Sequence, residues 1–437
     1  MKRGWLLPVI LAFVLRLSLF LFISFYNPSF MIQPDSPGYV NPAENLIKYG
    51  LFSSGEPPNL KPETLRTPGY PLFIALSYLV FGRKIESVII LQIIIGALLP
   101  LLSWKILEEL GASLRARRIA AYITALDPLL LIYTVNVLTE ELYAFIIALV
   151  ILLYFKVLRG FTLFHLFLAS IMTGFQAYIR PVGVYFPVIV FLYFLFLKRF
   201  KEAFTILLVS YLLIFGWSFR NYKEAGAFEF STISGVNMAF YRASYVLQFE
   251  RGESWVKIRE ELRRELEEKG RGLNEAQKLA LAKRMGLEII LSHPISAIKA
   301  FVRGILGTLL GPGGAYYLVA FKAYIPGSGI LNRLYELGFL RFLVLLWREY
   351  RWLFLVELSF GLYFLFIYIF ALLGFWRNLL RKEVWLLILT IFYFLVISAG
   401  PEAYSRFRVP FELFLIILCS LYFEGRGRSS TRLFLSW

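Results

Sequence analysis

The chain has 437 residues, 59% of them hydrophobic, with one cysteine and a formal net charge of +17. An ordinary soluble domain is roughly 45–50% apolar, so this composition excludes one and indicates a polytopic membrane protein. Cys419 lies inside an apolar run, which excludes a disulfide framework and leaves the redox compartment unread.

The charge falls on short connections and on the ends of the chain. Lys2, Arg3, Arg115, Arg117, Arg118, Lys156, Arg159, Lys198, Arg199, Lys201, Arg377, Arg381, Lys382, Arg426, Arg428 and Arg432 all lie there, with only Glu202, Glu383 and Glu424 beside them. Basic short loops mark the cytoplasmic side of a membrane protein. The charge therefore reports topology, and nucleic acid is not an expected partner. The N-terminus has a basic start and no small-residue cleavage site before the first polar loop, and reads as a retained anchor.

In chain order, the first span, Trp5 to Phe25, leaves the cytoplasm and delivers the polar stretch Pro34–Pro71 to the outer face. Within it Asn41, Pro42, Glu44 and Gly50 predict a short helix, with an N-cap oxygen, a first-position proline, a capping-box acid and a closing glycine. Ala43, Leu46 and Ile47 share a face suited to lying on a membrane. Pro68 to Gly82 is fifteen residues with two prolines, whereas a crossing takes about twenty. It is expected to stay outside as a juxtamembrane or re-entrant helix.

Crossings follow at 86–107, 119–134, 141–156, 161–178, 182–197 and 203–219. The outer segment 220–294 carries two helices. Trp255, Ile258, Leu262 and Leu266 recur at helical spacing, and Asn274 with Gln277 forms a capping box for a helix ending at His293-Pro294. Six glutamates and five lysines or arginines between Glu253 and Lys269 predict a solvated, ion-paired helix rather than a polybasic lipid patch. Stretches 295–310 and 329–346 either cross as a pair or both stay outside; spans at 352–375, 384–399 and 409–423 finish the chain. The expectation is an all-α polytopic membrane protein of ten or twelve transmembrane helices. It divides into an N-terminal module 1–219 with a long first outer loop 26–85, an outer helical loop 220–294, and a C-terminal module 295–437.

Polar residues at membrane depth are costly and call for a partner or a task. In this topology Asp35, Arg66, Glu140, Arg180, Arg220, Arg406 and Arg408 collect at the outer ends of spans, with Tyr39, Glu44, Asn221 and Tyr404 on the same face. Guanidinium forks suit a phosphate, and a carboxylate suits proton abstraction. Each has a plainer alternative: Asp35 as a turn aspartate, Glu140 and Glu141 as first-turn acids answering a helix dipole, the arginines as interfacial anchors. His165 reads as a hydrogen-bonding residue and His293 as a cap. No His or Cys cluster writes a metal site, and an all-carboxylate site on Asp35 and Glu140 is left open.

DSPGY (35–39) followed by a helix, RTPGYPLF leading to LVFG (66–82), Arg180-Pro181, FRNYKEAGAFEFSTISGVNM (219–238) and SRFRVP (405–410) are spread over most of the chain. Together they resemble the polyprenyl-phosphate-sugar-dependent glycosyltransferases of the GT-C class, in particular bacterial members of the protein O-mannosyltransferase superfamily, which includes the aminoarabinose transferases. The resemblance implies a GT-C-like bundle in the plasma membrane with both termini cytoplasmic. It implies inverting transfer of a hexose or pentose from a polyprenyl-phosphate sugar to a lipid, glycan or protein acceptor outside. Asp35 would match the family's acidic residue in the first outer loop, and act as base. Glu140 would be a second acid, and Arg66, Arg180, Arg220, Arg406 and Arg408 would hold the phosphate. No cofactor is required, and a divalent metal on Asp35 and Glu140 stays open.

Two other classes compete. A secondary transporter or lipid or glycan flippase would place its polar groups near the bilayer midplane, and a scaffold would need no convergent charges. One cavity shared by Asp35, Arg406 and Arg408 favours the enzyme.

Overall fold

The computed structural model describes residues 4–160, 162–324, 337–400 and 403–424. Lys2, Arg3, Arg426, Arg428, Arg432 and the start of the 329–346 stretch lie outside them. The described residues are helical apart from connections and one two-residue antiparallel ladder, in which Ser53 pairs with Pro62 and Ser54 with Lys61.

The N-terminal half runs α1 (Leu6–Tyr26), α2 (Pro37–Tyr49), α3 (Gly69–Phe81), α4 (Ile85–Ala97), α5 (Leu99–Glu109), α6 (Leu114–Leu126), α7 (Pro128–Thr134), α8 (Glu140–Leu158), α9 (Leu163–Ile179), α10 (Phe186–Phe196) and α11 (Phe200–Ala225). An outer layer follows: a single turn α12 (Ile233–Gly235), a π-helical stretch Val236–Ala243, α13 (Ser244–Arg251), α14 (Trp255–Lys269) and α15 (Glu275–Ser292). The chain returns through α16 (Pro294–Leu310), α17 (Gly314–Ala320), α18 (Phe339–Glu349), α19 (Arg351–Arg377), α20 (Lys382–Ile397), a 3₁₀ turn Ser405–Arg408 and α21 (Val409–Tyr422).

Among the described residues, α1, α4 with α5, α8, α11 and α19 are each long and apolar enough to cross a membrane, and α15 with α16, bent by 106°, is a sixth if taken as one span. The chain is a multi-pass membrane protein. The other expected crossings are helices in the expected places, but shorter: α9 has 17 residues, α20 has 16 and α21 has 14. The expected ten or twelve spans are therefore not reached by helix length alone. α3 has 13 residues, about 20 Å at 1.5 Å per residue, too short for a core about 30 Å thick.

Prolines account for two departures. The predicted 86–107 span is two helices parted at Leu98, because Pro100 lacks an N–H and crowds the carbonyl four residues back. The 119–134 span breaks at Asp127, whose carboxylate caps the next helix by accepting from the Leu130 N–H at 2.8 Å, with Pro128 at the first position.

In the first loop, α2 begins at Pro37 rather than at Asn41. Pro37 takes the first helical position, so Asn41 and Pro42 fall inside the helix and no capping box forms there. Glu44 instead pairs with Lys48 at 3.4 Å and Arg83 at 2.5 Å. The buried face holds Tyr39, Pro42 and Ala43, while Ile47 is exposed. Gly50 closes the helix in the left-handed region at φ +68°.

The outer layer follows the sequence closely. Ile258, Leu262 and Leu266 are buried in a small core with Phe240, Leu247 and Met285. Lys257, Arg263 and Lys269 pair with glutamates three or four residues away. Asn274 and Gln277 form the reciprocal capping box. At the centre of the bundle lie α8 and α21, the latter buried at every residue from Val409 to Leu421. A helix apolar on all sides belongs inside, and the N-terminal ends of these two helices meet at the site.

Candidate active site

Five chain segments bring five charges together. Asp35 stands just before α2 and Arg66 just before α3. Glu140 opens α8, Arg180 caps the end of α9, and Arg406 lies in the 3₁₀ turn before α21. The C-termini of α1 and α9 and the N-termini of α8 and α21 thus share one end of the bundle.

Asp35 Oδ1 accepts from Arg66 at 2.9 Å, and Asp35 Oδ2 accepts from Arg406 at 3.0 Å. Arg406 Nε donates to Glu140 Oε1 at 2.5 Å, and Arg180 donates to the same oxygen at 2.9 Å. Arg406 is therefore the bridge between the two carboxylates. Glu140 is fully buried, Arg180 and Arg406 have side chains 14% exposed, and Asp35 is 38% exposed, so the network opens outward at Asp35. Burial raises the Asp35 carboxyl, but the Arg406 and Arg66 guanidiniums outweigh it and hold the group below the usual carboxylate range.

Arg66 also donates to the Tyr39 hydroxyl at 3.1 Å and lies over its ring. A Cβ on Gly38 would come within 3.0 Å of Arg66 Nε, so the glycine of DSPG gives the guanidinium its place. Glu63 sets the Arg66 backbone, with Oε1 accepting from the Leu65 and Arg66 N–H groups at 2.6 and 2.8 Å. The wall is aromatic: Tyr133 stacks on Tyr316, and both feel Arg406 and Glu140. Tyr404, exposed next to Arg406, packs edge-on against Phe407.

Four predicted members lie elsewhere. Arg220 donates to the carbonyls of Glu63 at 2.7 Å and Phe52 at 3.0 Å, and to Asn221 Oδ1, with its face over Trp217. Asn221 donates to the Glu229 and Phe230 carbonyls. Arg220 ties α11 to the first loop and Asn221 ties it to the chain before α12, rather than facing Asp35, because α11 runs on to Ala225 and carries them past the network. Arg408 is fully buried and bonded to Glu412, away from Asp35. Glu44 sits at the far end of α2 in its own ion pairs.

A second buried set lies apart from this network. Arg16, the lone charge of the first span, contacts Glu141 at 3.4 Å and Thr134 at 3.1 Å, and Asp127 accepts from Tyr363. A charge inside an apolar run is the signal that could have found Arg16.

A divalent metal does not fit these side chains. No three His, Cys, Asp or Glu come together among the described residues, and Asp35 and Glu140 are bridged by a guanidinium.

Residues 65–218 match the family model described as dolichyl-phosphate-mannose-protein mannosyltransferase. Among solved structures, the apo form of the Archaeoglobus fulgidus oligosaccharyltransferase superposes with a TM-score of 0.53 at 16% identity, over 96% of this chain and 50% of that one. ArnT from Cupriavidus metallidurans bound to undecaprenyl phosphate gives 0.39 at 14% identity, over 94% and 77%. No curated protein matches the sequence. This chain shares the fold of that oligosaccharyltransferase, and the family match covers residues 65–218. The chain spans about half the length of the oligosaccharyltransferase.

Proposed function

We propose that this protein is a glycosyltransferase that moves a monosaccharide from a polyprenyl phosphate to an acceptor at the outer face of the membrane. The observation that carries the reading is the Asp35–Arg406–Glu140–Arg180 network with Arg66 beside it. Three guanidiniums against two carboxylates leave one positive charge in excess, in a setting mostly withdrawn from water. That excess suits a phosphate. The description of the matched family supports a lipid-phosphate sugar as donor.

In the reaction, an acceptor oxygen or nitrogen bonds to the anomeric carbon as the bond from that carbon to the phosphate oxygen breaks. The electron pair leaves with the phosphate, whose charge Arg66, Arg180 and Arg406 are placed to meet. The acceptor proton passes to Asp35. A single displacement of this kind inverts the anomeric centre. In the free protein Asp35 is clamped by Arg66 and Arg406 and is a weak base. A phosphate engaging the same guanidiniums loosens that clamp, so donor binding readies the base. Arg220 contributes by holding the first loop.

The test incubates purified protein with a panel of radiolabelled polyprenyl-phosphate sugars, hexose and pentose, and a membrane extract. Protein-dependent movement of label into lipid, glycan or protein is expected. Label that crosses a liposome bilayer without leaving its carrier would make the protein a flippase instead.

The reading also requires α3 to lie outside. Ser77 is buried, so the probe position is the exposed Lys84. A single cysteine there is expected to react with a membrane-impermeant maleimide in intact cells. Reaction only after permeabilisation would put the site on the other face.

A further inference from the structure

Arg408 shares the sequence motif of Arg406 and all of its chemistry, yet it makes a different set of contacts. Its Nε donates to Glu412 Oε2 at 2.7 Å, one turn into α21. Its Nη1 reaches the Tyr368 hydroxyl at 2.8 Å and the carbonyls of Thr308, Leu309 and Gly311 at 3.2 Å each. The guanidinium face lies 3.7 Å over the Phe364 ring.

Those three carbonyls belong to the last turn and C-cap of α16, where backbone acceptors lack intrahelical donors. A guanidinium placed there completes the helix end and meets its negative dipole. One side chain therefore joins the end of α16, the Phe364–Tyr368 face of α19 and the first turn of α21. The backbone comes close as well: a Cβ on Gly307 would meet the Ala403 carbonyl oxygen at 2.5 Å, so α16 lies directly against the chain that leads into Ser405–Arg408.

A 3₁₀ turn has three residues per turn, so residues 406 and 408 leave it about 240° apart. Arg406 goes to Asp35 and Glu140, and Arg408 goes to the core.

We propose that Arg408, with Glu412, is a positioning residue: it does not touch the donor, but holds the Ser405–Arg408 turn at the place from which Arg406 bridges Asp35 and Glu140. The proposal rests on the lipid-phosphate reading of the site. The pair is not built for stability, since Arg408 Nη2 and Glu412 Oε1 are buried without a hydrogen-bond partner among the described residues. Buried ion pairs of that kind contribute little net stability and more geometry.

The experiment is a double-mutant cycle read by binding of a polyprenyl phosphate to the full chain in nanodiscs. Arg408→Lys keeps the charge and can still reach carbonyls, but cannot hold Glu412, Tyr368 and three carbonyls at once. It is expected to weaken binding about tenfold, or about 1.4 kcal/mol. In an Arg406→Gln background the same change is expected to cost less than about twofold, because the residue it acts through is gone. In an Arg66→Met background the full loss of about tenfold should persist, which a general loosening of the fold confined to no partner would not separate. Glu412→Gln, which leaves Arg408 in place and charged, is expected to follow the same pattern.

Independent, additive losses with Arg406→Gln, or tighter binding in Glu412→Gln, would make Arg408 a direct phosphate ligand and overturn the proposal. Wild-type protein that binds no polyprenyl phosphate would sink the donor reading itself, and this inference with it.

Discussion

Asp35→Asn is expected to lower sugar transfer by roughly two to four orders of magnitude, the usual contribution of general acid–base catalysis. Asparagine is nearly isosteric and can still accept from Arg66 or Arg406, so the turn before α2 and the donor pocket should survive. What it cannot do is take a proton from the acceptor. Asp35→Glu should recover little, because moving the carboxylate by about an ångström can itself cost a hundredfold.

The pH profile carries a second check on the same residue. Burial raises the Asp35 carboxyl, Arg406 and Arg66 lower it further, and the net shift is downward. A depressed carboxylate is ionised above its unfolded-state range, and its stabilising pairs are lost only as pH falls through the lower folded value. Wild-type stability should thus show no loss from Asp35 at or above about pH 5, and an acid loss below the ordinary carboxylate range near 4. Asp35→Asn should lack that acid component. Transfer by Asp35→Asn at the wild-type rate would reduce Asp35 to a turn residue and make Glu140 the carboxylate to test.

Glu140→Gln is expected to be the most destabilising change at the site. Glu140 is wholly buried and its Oε1 accepts from both Arg180 and Arg406. A glutamine oxygen can keep one of those bonds, but two guanidiniums then face each other without the charge between them. Removing one partner of a buried pair typically costs about 3–5 kcal/mol, read here as a lower unfolding midpoint in detergent. Polyprenyl phosphate should raise that midpoint more in Glu140→Gln than in wild type, because an anion on Arg180 and Arg406 supplies part of the missing charge. An equal or smaller rise would mean that the phosphate binds elsewhere.

Much of this arrangement is legible in the amino-acid sequence. Asp35, Arg66, Glu140, Arg180 and Arg406 were expected on one face, and the structure joins them in one network. They meet because each stands at the end of an apolar run, and alternating runs return their ends to the same end of the bundle. Arg220 and Arg408 were grouped with them on the same grounds, and the structure separates them. Being at a span end fixes depth, but says nothing about direction around the helix.

Local chemistry was the part the amino-acid order determined by itself. The capping box of α15, the ion pairs of α14, the closing glycine of α2 and the breaks next to Pro100 and Pro128 all depend on partners within a few residues. The start of α2 was misjudged because two prolines, Pro37 and Pro42, compete for the first helical position, and the earlier one holds it. Tertiary structure alone decided the pairing of the charges. Arg406 meets Glu140 across 266 residues and Asp35 across 371, while Arg408 finds Glu412 only four residues away. Arg406 and Arg408 have the same side chain and nearly the same neighbours, so no local rule tells them apart. The turn of the backbone does, and that turn is held by α16, α19 and α21, whose packing is a property of the whole bundle.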